Sequence, residues 1–237
     1  MLSGKPLKAI FFDVGGPIVD ESVENDRMID LLAVILSEEL KKSIPRDDVV
    51  REWDKAIRAW APSCNRTVLW QYLRPDRKRF QSAYKEQSRR FFAGIVEATL
   101  MPGVIELIPR LADKYLLALA GNQHTAIRDK MISSGVLGFF KSTAVSEDLG
   151  FQKPDTRFFL AICDRIDVPA ENCCMVGDRL DNDIYPANVL GMRTIWFKVG
   201  PHAVQTPRIP EDEPDETIES IIEIPDIVER WEKQAQP

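Results

Sequence analysis

Three aspartates and a lysine stand where short apolar runs give out: Asp13 closes "KAIFFDV", Lys153 lies in "GFQKPD", and Asp178 and Asp183 share "VGDRLDND". A carboxylate can attack an electrophile or hold a hard cation, and an ammonium beside it can offset the charge of an anionic substrate. Gly15 and Gly16 follow Asp13, and Gly121-Asn122 follows another apolar run; glycine lets backbone come close to a ligand. Each residue also has a plainer reading. Loop carboxylates mostly cap helices or form turns, and a lysine before a proline is usually just solvated. His124 in "GNQHT" could touch substrate or serve as an acid, since imidazole titrates near neutrality, but a loop histidine opening a helix is the simpler account.

The elements that must position these residues are legible as a pattern. "KAIFFDV", "YLLALAGN", "STAVS", "NCCMVGD" and "RTIWFKV" are short apolar runs, each followed by a helical pattern. That alternation predicts an α/β fold: a Rossmann-like parallel sheet with helices on both faces, ligands gathering beyond the carboxyl ends of the strands. Asp13, Asp178 and Asp183 then converge on one sheet edge, which favours chemistry over capping. Residues 20–97 have a different texture, helical throughout, and read as an inserted all-helical cap; residues 1–19 and 98–237 form the core domain. In the insert Met28, Leu31, Leu32 and Ile35 share one stripe, Val49, Trp53, Ile57 and Trp60 another, and Phe80, Tyr84, Phe91 and Ile95 a third. Such stripes are the packing faces of a bundle. "MPGV", from Met101 to Val104, marks the return to the core. The proline-rich acidic tract from Pro201 to Glu216 reads as a loose connector to a last short strand, "TIESIIEI", and a terminal helix.

Composition bounds the function. A chain of 237 residues with 44% hydrophobic side chains fills a real interior. A net charge of -6 and a pI of about 5.2 give no basic footprint for nucleic acid or an anionic membrane. No run is long enough to span a bilayer and no secretory pattern opens the chain, so the sequence points to the cytoplasm. Cys64, Cys163, Cys173 and Cys174 lack metal or CxxC spacing and read as buried reduced thiols.

Taken in this order, with a helical insert in this place, the motifs resemble the haloacid dehalogenase (HAD) superfamily over nearly the whole chain. The resemblance implies a magnesium-dependent phosphatase acting on a small phosphorylated metabolite, with Asp13 as the nucleophile that becomes an aspartyl-phosphate. It implies Mg2+ held by Asp13, the carbonyl of Gly15 and Asp178, with Asp183 close behind. Lys153 would neutralise charge on Asp13 and the phosphoryl group, and backbone N–H groups around Gly16 and Gly121-Asn122 would receive phosphoryl oxygens. Lys55 invites comparison with the imine-forming lysine of phosphonate-cleaving members, but solvation on a charged helix accounts for it. The first motif is atypical: Asp13-Val14-Gly15-Gly16-Pro17 lacks the acid/base aspartate that such phosphatases carry two residues after the nucleophile. Gly121 likewise replaces the usual hydroxyl residue before asparagine. Two alternatives therefore stand beside the phosphatase: a haloacid dehalogenase-type hydrolase using Asp13, and a catalytically impaired phosphate- or metal-binding protein.

Overall fold

A computed structural model of the chain describes residues 5–94, 99–125 and 135–234. Two compact units emerge, Met1–Asp20 with Ala98–Pro237, and Glu21–Glu97. Asp20 lies in the first because Val19–Asp20 (β2) pairs antiparallel with Thr99–Leu100 (β3), one residue beyond the boundary expected from sequence.

The first unit is built on a six-stranded parallel sheet of β1 (Ala9–Phe12), β4 (Leu116–Leu119), β5 (Phe140–Ser142), β6 (Cys173–Gly177), β7 (Arg193–Phe197) and β8 (Glu216–Ile218). The strand order is β5-β4-β1-β6-β7-β8, so β1 is central, flanked by β4 and β6. Successive side chains of a strand point to opposite faces, and both faces are covered here. Ile10 and Phe12 join Leu117, Leu119, Cys174 and Val176 against α5 (Val104–Ala112) and the terminal helix. Ala9 and Phe11 join Ala118, Cys173 and Met175 against Phe158, Phe159 and Ile162. That double burial is why β1 reads as a continuous apolar run. Truncating Phe11 or Phe12 to alanine would remove about 3–5 kcal/mol.

The second unit is a bundle of α1 (Ser22–Leu40), α2 (Arg46–Arg58), α3 (Cys64–Leu73) and α4 (Arg77–Ala93). Its core holds Met28, Leu32, Ile35, Leu36, Val49, Val68, Leu69 and Ala83. Asp76 caps α4 by accepting the Arg79 N–H at 3.0 Å. The aromatic stripe of α4 is off-centre: Ala83 and Gln87 are its buried positions, while Phe80, Tyr84 and Phe91 pack at the margin. Ile95, the fourth member of that stripe, falls outside the described residues.

Three expectations need correction. "STAVS" is not a strand: β5 ends at Ser142, and Ser146–Leu149 is a helical turn (α6) whose entry is fixed by the Val145 N–H donating to Asp148 at 3.1 Å. In "TIESIIEI" the strand stops at Ile218, where Glu223 accepts the Ser220 N–H at 2.8 Å and turns the chain into the helix Ile224–Gln234. The connector is not loose: Gln205 and Asp212 are buried, and the Asn188 amide donates to the carbonyls of both Glu211 and Glu213 at 2.8 Å. The four cysteines are free and buried, as expected. Among the described residues no helix is long and apolar enough to cross a membrane.

Candidate active site

Asp13 is the first residue beyond β1, and its N–H still donates to the Val176 carbonyl of β6 at 2.9 Å. Its carboxylate accepts the Val14 N–H at 2.7 Å, which sets the side chain at the mouth of the following turn. Asp178 comes directly after β6, and Asp183 lies one turn further on. Lys153 sits in the loop between α6 and the helix Thr156–Ile166 (α7). The sheet thus brings together at its carboxyl edge residues far apart in sequence.

The Lys153 ammonium lies 2.9 Å from Asp13 Oδ1 and 2.5 Å from Asp183 Oδ1. Burial alone would lower the lysine's pKa; Asp13 and Asp183 overcome it and leave the ammonium more firmly protonated than usual. Burial pushes the Asp183 carboxyl up to about 7, Lys153 opposing the rise and Asp13 adding to it. The second Asp183 oxygen accepts the Arg179 N–H at 3.0 Å.

Asp13, Asp178 and Asp183 each offer an oxygen, all within 4.8 Å of one another. Lys153 pairs with two of these carboxyl groups, Asp13 and Asp183, and the donor set is all oxygen. That chemistry suits a hard divalent cation such as Mg2+.

Glycines shape the floor. Gly16 has φ +84, and a Cβ there would lie 3.0 Å from the Asp178 Cβ, so its part is conformation and close approach. Its own N–H donates to the Val19 carbonyl at 2.9 Å in the turn that follows Asp13. Gly15 is buried and bridges Val19, without a positive φ. A Cβ on Gly177 would come within 2.4 Å of Asp183 Cβ and Cγ: the Asp183 side chain lies flat on that glycine. A Cβ on Gly121 would meet Val14 Cγ2 at 2.7 Å, so the volume that a hydroxyl residue would need is filled. Sequence reasoning missed both Gly177 and Val14, because their roles exist only once β6 and β4 flank β1.

Asn122 follows Gly121, and its side-chain amide pairs with the Lys153 backbone. His124 is well exposed, with Nδ1 3.3 Å from Glu147. Glu147 also accepts the Thr125 N–H, which with His124 holds its carboxyl down at about 2. Lys55 is exposed and paired with Glu52 at 2.6 Å, a solvated helical ion pair.

The sequence model of the haloacid dehalogenase-like hydrolases matches residues 7–191. The chain is 26% identical over 234 residues to the glyceraldehyde 3-phosphate phosphatase of Methanopyrus kandleri, covering 96% of this chain and 99% of that protein. It is 38% identical over 106 residues to the protein of the same name from Methanocaldococcus jannaschii, covering 44% of this chain and 45% of that one. Among solved structures, the HAD-hydrolase YfnB of Bacillus subtilis, crystallised bound to magnesium, superposes with a TM-score of 0.64 at 26% identity, covering 94% of this chain and 99% of that one. With the family match spanning most of its length and the site assembled at the sheet edge, the chain belongs to the haloacid dehalogenase-like hydrolases.

Proposed function

We propose that the protein is a magnesium-dependent phosphatase that hydrolyses a small phosphate monoester through an aspartyl-phosphate on Asp13. The observation that carries the reading is the Lys153 ammonium held between Asp13 and Asp183, with Asp178 beside them. In the first step an Asp13 oxygen forms a bond to phosphorus as the bond to the leaving oxygen breaks. In the second, water attacks phosphorus, releases inorganic phosphate and regenerates the carboxylate. Lys153 offsets the charge of nucleophile and phosphoryl group as they approach. Asp13, Asp178, Asp183 and the Gly15 carbonyl would hold Mg2+, which supplies Lewis-acid neutralisation of phosphoryl oxygens. The relatives named as glyceraldehyde 3-phosphate phosphatases support a small phosphorylated metabolite as substrate.

Gly15 offers no side-chain acid, so the leaving oxygen departs largely unprotonated and rate falls steeply as leaving-group pKa rises. Positioned proton transfer is worth about 10²–10⁴-fold. A second reading, a phosphate- or metal-binding protein that has lost turnover, draws on the same Gly15 and on Gly121. A screen of phosphate esters spanning leaving-group pKa, with and without a chelator, separates them. We expect magnesium-dependent turnover, faster for aryl and acyl than for alkyl phosphates, and abolished in a folded Asp13→Asn protein. Turnover that survives Asp13→Asn, or full activity in chelator, would sink the proposal. A folded Gly15→Asp protein should accelerate alkyl esters more than aryl esters, because it restores a side-chain acid two residues after Asp13; equal acceleration of both would remove the missing-acid account.

A further inference from the structure

Lys153 has no helix or strand to hold it. α6 ends at Leu149 and α7 begins at Thr156, yet the lysine's ammonium must arrive within hydrogen-bond reach of two carboxylates. The side chain of Asn122 meets this requirement. Its Oδ1 accepts the Lys153 N–H at 2.7 Å, and its Nδ2 donates to the Lys153 carbonyl at 2.9 Å. One amide group thus catches both polar atoms of one residue's backbone, fixing its position and its rotation together.

We propose that Asn122 is a positioning residue for Lys153: its amide clamps the lysine's backbone and so sets the ammonium between Asp13 and Asp183. The inference rests on the phosphatase reading for its catalytic consequence, but the clamp itself does not. Asn122 comes just after β4, the strand beside β1, where the Ala120 N–H donates to the Phe12 carbonyl at 2.7 Å. The path from Asp13 through β1, β4, Asn122 and Lys153 back to Asp13 is therefore a closed ring of short contacts. Asparagine suits the task because it carries an acceptor and a donor on one carbon at this reach. Aspartate would set an oxygen against the Lys153 carbonyl, and glutamine would be one methylene too long. Both polar atoms of the amide are engaged, so direct recognition of substrate by this side chain would require breaking two hydrogen bonds.

The test is a double-mutant cycle in the full-length, magnesium-loaded protein, read as kcat, KM and inhibition by inorganic phosphate. Asn122→Ala should lower kcat by about 10–100-fold, the scale of an ångström-sized misplacement, with KM and phosphate inhibition changed little. Combined with Lys153→Ala it should be no slower than Lys153→Ala alone, because it acts only through that lysine. Losses that multiply, or a loss confined to KM and phosphate affinity, would make Asn122 a substrate ligand and overturn the proposal. Hydrogen exchange at the Lys153 amide reads the clamp independently of turnover: protected in the parent, and faster by about tenfold or more in a folded Asn122→Ala protein. Unchanged exchange would refute the clamp even in an active enzyme. Absence of any esterase turnover in the parent, with exchange responding as expected, would refute the phosphatase reading and leave the clamp standing.

Discussion

The tightest constraint at the residue scale is the contact of Asp183 with Gly177. The missing Cβ leaves 2.4 Å to atoms of a fully buried side chain, so Gly177→Ala cannot be absorbed by a rotamer change. Asp183 must move, and Lys153 with it. We expect a loss of roughly 100-fold or more in kcat from misplacement alone, and about 1–3 kcal/mol of stability from overpacking, measured by urea unfolding. A stable, fully active alanine variant would show that Asp183 need not lie on the sheet. The chemistry-bearing residues were legible from sequence because each follows a run buried on both faces, a pattern that marks strand ends. Gly177 was not: a glycine's role depends on what is packed against it, and Asp183 reaches it only through the turn that begins at Arg179.

At the scale of elements, the tract from Pro201 to Glu216 shows what composition conceals. Its prolines and acids suggest a loose connector, but long-range hydrogen bonds fasten it to the loop carrying Asp178 and Asp183. Gln205 accepts the Leu180 N–H at 3.0 Å, and Asp181, paired with Arg179, lies 3.4 Å from the Gln205 amide. No local pattern announces a bond between residues 25 apart in the chain. His202 is part of the same contact. Burial and then the Arg179 guanidinium bring its pKa down to about 4, Asp181 opposing. The unfolded chain therefore binds a proton more readily than the folded one between about 6.5 and 4. Stability from this neutral imidazole is fully present above about 6.5 and is lost as pH falls through about 4. His202→Gln should flatten that acid limb by on the order of 1–3 kcal/mol, measured as denaturation midpoints from pH 7 to 4. An unchanged limb would assign acid sensitivity to other groups. "STAVS" failed for a related reason: β-branched residues favour strands, but Asp148 captures the Val145 N–H and starts a helix.

On the scale of the whole molecule, the carboxylates proposed to hold Mg2+, Asp13, Asp178 and Asp183, all lie in the sheet-bearing unit. Mg2+ at about a hundred times its Kd should stabilise that unit by roughly 2.7 kcal/mol. Native-state hydrogen exchange should show amides of β1 and β6 gaining protection while those of α1–α4 stay as they were. Equal gains in both units, or none in either, would argue against the site drawn here. The topology also sets an order of events during synthesis. β1 is made before both of its neighbours, which pair through Leu116 and Cys173, so "AIFF" must wait without a partner while the bundle, whose contacts are local, can already fold. An exposed apolar strand is the kind of segment that chaperones shield. Asp13 is thus made before the other residues gathered at the sheet edge yet waits for β4 and β6 to fix its place, and a chain halted before Asp183 cannot assemble that group at all.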